Sequence, residues 1–137
     1  MVNKKIKWLI YTVLVGLIPI ICRLLIWGAS TSETIHWIAA SDLIAFGLIL
    51  HISNINEIEH ISIDDKSWKT VQNGISIIFI AVYFVLFALN TLSEGFSGAI
   101  NVTTIKVCTF VLAAISFGIS YSVFDRLSAL QSTGTHS

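Results

Sequence analysis

Arg23 and Asp42 are the residues most able to do chemistry, because each is an ionisable side chain set inside a long apolar run. Near the centre of a bilayer such a group costs ~2.5–3.5 kcal/mol on insertion scales, so it marks a functional site or a paired contact. Arg23 lies four residues before Trp27, and Asp42 lies five after Trp37. The rise of a helix puts both about 6–8 Å inside one membrane face. Opposite charges at one depth on adjacent antiparallel helices can pair, which lowers the cost of holding either away from water. The expectation is an intramembrane ion pair between Arg23 and Asp42, within a protomer or across a subunit interface. Two other readings fit the same positions: separate snorkelling to the nearby surface, and lining of an ion path.

A second constellation is the polar stretch HISNINEIEHISIDDKSWK. Ile52, Ile55, Ile58 and Ile61 recur every three residues, while Asn54, Asn56, Glu57, Glu59 and His60 point elsewhere. That pattern predicts a helix running past the membrane as an amphipathic turn or two. Glu57, Glu59, Asp64 and Asp65 form an acidic cluster offset by Lys66 and Lys69, and acidic groups avoid an anionic leaflet. Glu57, Glu59, His60, Asp64, Asp65 and Lys66 therefore offer a docking edge for a cytosolic partner, or else a solvated loop. His60, Asp64 and Asp65 match no firm ligand spacing, so no metal site is expected. His51, Asn54 and Glu57 share a face near the inner surface, where a histidine hydrogen-bonds at a helix contact or senses pH. Cys22 and Cys108 fall at similar depth and are read as buried free thiols in preference to a disulfide. No nucleophile–base–orienter set and no phosphate loop is present, so the expectation is a non-enzymatic protein without a cofactor.

The elements that position these residues follow from composition. Of 137 residues, 55% are hydrophobic and only 12% charged, half the share usual in a soluble domain. Mean hydropathy is +0.83. A chain this size has too little interior to hide so much apolar surface from water. Eight basic and eight acidic residues balance to zero, without the basic excess of a nucleic-acid-binding domain. An integral membrane protein remains.

A hydrocarbon core of ~30 Å needs ~20 apolar residues in a helix. Four segments qualify, at about 6–27, 36–55, 70–92 and 105–124, within a transmembrane domain covering 1–127 and followed by a short polar tail at 128–137. The fold class is therefore all-α: a four-helix transmembrane bundle. The first segment is read as a retained helix, not a cleaved signal, because no small-residue cleavage pattern ends it. Trp8 and Trp27 bracket it at a separation of about 28 Å, as two interfacial belts would. Pro19 predicts a kink there. Lys4, Lys5, Lys7, Lys66, Lys69 and Arg126 lie on one side and only Lys106 on the other, which predicts both termini in the cytoplasm and a multi-pass protein of a bacterial inner membrane.

In lipid, helices approach through small residues. Ala114, Gly118 and Ser122 recur at four-residue intervals, with Ser116 and Ser120 on a neighbouring face, and Ser41 and Ala45 are again four apart. These predict packing within the bundle or between copies in a homo-oligomer.

In size, in its four spans from Trp8 to Phe124 and in its internal termini, the chain resembles the small membrane subunit of the bacterial anti-phage system Kiwa. The resemblance implies a homo-oligomeric sensor of phage at the envelope, with a cytosolic partner that binds DNA and restrains phage replication. The function expected is a membrane sensor or anchor that meets lipids and copies of itself, recruits a cytosolic effector and touches no nucleic acid directly. The alternative is a small holin- or channel-like pore-former, or an immunity protein against a pore-forming toxin.

Overall fold

Long apolar runs, with Pro19 the one proline of the chain, leave little to interrupt a helix, and the described residues form helices without a strand. The computed structural model describes residues 4–60 and 64–134. α1 (Lys4–Trp8), a π-helical turn (Leu9–Val13) and α2 (Leu14–Ala29) follow one another as a first rod. α3 (Ala40–His60), α4 (Lys66–Gly95) and α5 (Val102–Gly134) are the others. Asp65 caps α4 by accepting the Trp68 N–H at 3.1 Å, which satisfies one of the donors a helix start leaves open. Between α4 and α5 the chain turns at Gly98, whose φ of 92° suits a residue without Cβ.

The boundaries shift from those expected. α3 begins at Ala40, after Trp37, while α4 and α5 reach 30 and 33 residues. At the helical rise these are about 45 and 50 Å, longer than a hydrocarbon core. Residues 128–134, expected as a tail, continue α5. Helical hydrogen bonding continues on both sides of Pro19, and the irregular turn lies upstream at Leu9–Val13. Among the described residues, three helices are long and apolar enough to cross a membrane: Ile6–Ala29, Lys66–Gly95 and Val102–Leu130. α3 falls outside that group because it carries Asp42, His51, Asn54, Asn56, Glu57 and Glu59.

Yet α3 is the hub. Its residues Leu43, Phe46, Leu50 and Ile58 pack with Trp8 on the first rod and with Ala113, Val123, Phe124 and Leu127 on α5. A second cluster joins Ile44 to Tyr83 and Leu86 of α4, flanked by Leu112 of α5. Trp8 is only 4% exposed and stacks on Phe124 at 4.5 Å, so it is a core residue, not part of an interfacial belt. Trp27 and Trp37 remain about half exposed. Cys22 and Cys108 are free thiols, as expected, but both are exposed on the outside of the bundle and not buried.

Direction follows from register. Arg23 meets Asp42 and Thr12 meets Ser53, so the first rod and α3 run antiparallel. His51 meets Ser116 and Asn54 meets Ser120, so α3 and α5 run parallel, while α4 opposes both. The start of the first rod, the end of α3, the start of α4 and the end of α5 therefore share one end, called here the terminal end.

Gly16 and Gly47 are close-approach points. A Cβ at Gly16 would come within 2.8 Å of the Phe46 ring, and one at Gly47 would overlap the Tyr83 phenol. Gly47→Ala gains roughly 0.8–1 kcal/mol of helix propensity but overpacks at a typical cost of about 1–3 kcal/mol. The expected net result is a lower unfolding temperature in detergent, whereas Gly118→Ala, with open space at its Cβ, leaves that temperature equal or higher.

Candidate functional site

α3 carries polar side chains on two of its faces, and each face finds its own partners. Toward the first rod, the Arg23 Nε–H donates to Asp42 Oδ2. The side chains are 33% and 13% exposed, so the pair is partly withdrawn from solvent. Asp42 lies in the first turn of α3, where the helix dipole also favours its negative charge. Eleven residues further along each helix, Thr12 and Ser53 hydroxyls meet at 3.2 Å. A shallow groove of about 420 Å³ runs beside that contact, lined by Tyr11, Val15, Ile49, Ile52 and Asn56 as well.

Toward α4 and α5 lies a fully buried polar layer. His51 Nδ1 is 3.3 Å from Ser76 Oγ, and Nε2 is 2.9 Å from Ser116 Oγ. The Tyr83 hydroxyl is 2.7 Å from the same Ser116 oxygen. One turn toward the terminal end, Asn54 Nδ2–H donates to Ser120 Oγ at 2.9 Å. Phe79 stacks on the imidazole with a centroid separation of 4.8 Å. The layer thus joins α3, α4 and α5 through a four-member chain, Ser76–His51–Ser116–Tyr83. Ser116 and His51 are within the distance a nucleophile and base require, but the group at Nδ1 is Ser76, not an orienting carboxylate, and all three are buried.

This layer corrects two readings of the sequence. The three-residue repeat of isoleucine predicts an apolar stripe with Asn54 on another side. His51 and Asn54 are also expected to share a polar face, with His51 bonding at a helix contact, and the layer shows this. The stripe does not hold: His51, Asn54 and Ile58 face inward and Ile52 is exposed, while Ile61 lies outside the described residues. On α5 the inward face carries Ser116 and Ser120, whereas Ala114, Gly118 and Ser122 are exposed and lie outward. The physical reason is common to both: amide, imidazole and hydroxyl groups need partners that only the interior supplies, and an outward isoleucine or alanine needs none. Ser41 and Ala45 are half-buried on α3. The sequence reading passed over Ser76 and Tyr83; their seven-residue spacing, which returns a side chain to one helix face, was the available signal.

The residues expected to dock a partner sit at the terminal end, and several engage their own chain. Glu59 accepts from Asn73 Nδ2–H at 2.6 Å, and His60 Nδ1 lies 2.7 Å from the Asn56 carbonyl. Asp65, besides capping α4, pairs with Arg126 at 3.5 Å, and the Arg126 guanidinium stacks over Trp68 at 4.6 Å. Glu57 is half-buried, while Asp64 and Lys66 are exposed. Among the described residues no group of three or more His, Cys, Asp or Glu side chains is arranged to hold a metal.

Because the Arg23–Asp42 pair is partly buried, removing one charge strands the other at a cost between that of surface and buried pairs, about 1–3 kcal/mol. Arg23→Asp and Asp42→Arg alone are expected to lower the unfolding temperature and the folded yield in detergent, and the charge-swapped double variant to recover most of both. Equal damage in all three would show that the pair does not hold the first rod to α3.

Comparison with known proteins adds no name to this geometry: the chain matches no family model, no curated protein and no solved structure.

Proposed function

We propose that the chain is a multi-pass protein of a bacterial inner membrane, with α3 as a fourth span and both termini in the cytoplasm. It acts there as a homo-oligomeric sensor or anchor that recruits and controls a cytosolic effector. The observation that supports the membrane location is the inside-out distribution of side chains. Ile18, Leu25, Ile78, Phe84, Phe87 and Phe110 are among many large apolar residues left exposed, while His51, Asn54, Ser76, Ser116 and Ser120 are buried. Water would drive the reverse arrangement; hydrocarbon drives this one.

Charge supports the orientation. Lys7, Lys66, Lys69 and Arg126 belong to the terminal end, joined in sequence by Lys4 and Lys5, and Lys106 stands at the other. Basic flanks are retained in the cytoplasm. Ala114, Gly118 and Ser122, exposed on the outward face of α5, support association between copies. The exposed Asp64 and Lys66 support an effector-docking edge at the terminal end. A role in anti-phage defence, as in the Kiwa membrane subunit that the architecture resembles, is part of the proposal. A pore-forming or immunity function is the competing outcome.

The experiment is expression of the full chain with a reporter at either end, beside its neighbouring open reading frames. Resistance to alkaline carbonate extraction, cytoplasmic signal from both reporters, co-purification of a soluble neighbour and an undisturbed membrane potential are expected. Release by carbonate or reporters on opposite faces would refute the four-span reading. Loss of membrane potential on expression alone would replace the sensor with a pore-former. Gly118→Leu is expected to reduce the oligomer to protomers in detergent without lowering helix content.

A further inference from the structure

We propose that the pocket between the start of α3 and the first turns of α5, at the end away from the termini, binds an anionic phospholipid, with Lys106 as the cation for its headgroup. The inference rests on the membrane-spanning reading above and goes beyond it.

The pocket has a volume of about 310 Å³, at the lower end of the range of small-molecule sites. Leu43 of α3 and Ile38 just before it line one side, and Val107, Phe110 and Val111 of α5 line the other. Trp37 and Lys106 complete the lining. Trp37, Val107, Phe110 and Val111 are about half exposed, so the pocket opens on the flank of the bundle that meets hydrocarbon. Polarity is graded along it. Lys106 lies about 6 Å from the start of α5, and Val111 about 7–8 Å deeper. The cation therefore stands near the membrane edge while the apolar lining runs inward, along the path of an acyl chain.

Two observations separate this pocket from an ordinary crevice. First, Lys106 is half-buried, and among the described residues it makes no hydrogen bond or ion pair. Asp42, next to Leu43, is engaged by Arg23, and Glu94 accepts from Asn90. A lysine reaching freely into water would be exposed, as Lys7 and Lys66 are. A cation held among apolar side chains without a counter-charge calls for an anion. Second, the polar side-chain groups of the lining are the Lys106 ammonium and the Trp37 indole N–H, both donors. No lining side chain is an acid.

That chemistry discriminates between headgroups. The phosphodiester of any phospholipid can accept from Lys106 and Trp37. Phosphatidylcholine also brings a cationic ammonium, which meets Lys106 as a like charge and finds no acid in the lining to answer it. Phosphatidylglycerol brings only hydroxyls beside its phosphodiester, so its negative charge is left for Lys106.

The test offers phosphatidylglycerol, phosphatidylcholine or oleate at matched concentrations to the full chain purified in detergent, and reads lipid retention by native mass spectrometry. Wild type is expected to retain one phosphatidylglycerol per protomer about tenfold more tightly than phosphatidylcholine, a ratio that one charge-assisted hydrogen bond supplies. Lys106→Gln is expected to level the two affinities and Lys106→Arg to keep them apart. Lys66→Gln, which removes a cation at the terminal end, should leave the ratio unchanged. Val107→Trp fills the pocket while keeping the cation, and is expected to weaken phosphatidylglycerol retention severalfold. A preference that survives Lys106→Gln, an equal loss in Lys66→Gln, or oleate held more tightly than phosphatidylglycerol overturns the proposal. Those outcomes in a chain that resists carbonate extraction remove the lipid site alone, whereas release of the wild-type chain by carbonate removes the spanning reading itself.

Discussion

A buried amide or imidazole without a partner costs about 1–3 kcal/mol, and an apolar surround supplies no partner to relieve it. Burying an apolar side chain against another helix gains little by comparison where lipid already solvates it. Rotation of a helix in such a setting is therefore decided by its polar residues. On α3 this places His51 and Asn54 toward α4 and α5 and turns Ile52 outward. The choice propagates: α5 must present Ser116 and Ser120, which carries Ala114, Gly118 and Ser122 to the opposite side. α4 must present Ser76 and Tyr83, and Gly47 makes room for the phenol.

Polar contacts also fix the register, and apolar packing fills the space between them. Arg23–Asp42 and Thr12–Ser53 pin the first rod at two heights. The His51 and Asn54 layer pins α4 and α5 from the other face of α3. At the terminal end, Asp65, Arg126 and Trp68 tie the start of α4 to the end of α5. Because these ties lie on two faces of α3 and between α4 and α5, sliding any one helix breaks a hydrogen bond or ion pair that lipid cannot replace. The clusters around Leu50 and Tyr83 then occupy the interior between the pins.

The helices themselves were legible in the sequence, since apolar runs of span length with few breakers leave little alternative. The pairing of Arg23 with Asp42 was legible too, because depth could be measured from Trp27 and Trp37. The rotation of α5 was not. Ala114–Gly118–Ser122 and Ser116–Ser120 both repeat every four residues, and small size is common to both stripes. What separated them was the location of His51, Asn54 and Tyr83 on other helices, a relation no local pattern contains. Trp8 misled for a similar reason: its position at the edge of an apolar run fits an interfacial ring, but Phe117 and Phe124, more than a hundred residues away, bury it. The extent of α5 past Phe124 was missed because LSALQSTG reads as polar, while Leu127 is fully buried in the core.

A protein held together in this way differs mechanically from one held by fixed charges throughout. The Arg23–Asp42 contact admits one polarity, donor to acceptor, and resists change. The Ser76–His51–Ser116–Tyr83 chain admits two, because every hydroxyl can rotate between donating and accepting. A ligand shifts an equilibrium only by its differential affinity for two states, so a responsive element needs two arrangements to move between. In this bundle the hydroxyl–imidazole layer offers two hydrogen-bond polarities and the ion pair offers one. The first rod is thus held to α3 through a contact of one polarity, and α4 and α5 are held to it through a chain whose polarity can reverse.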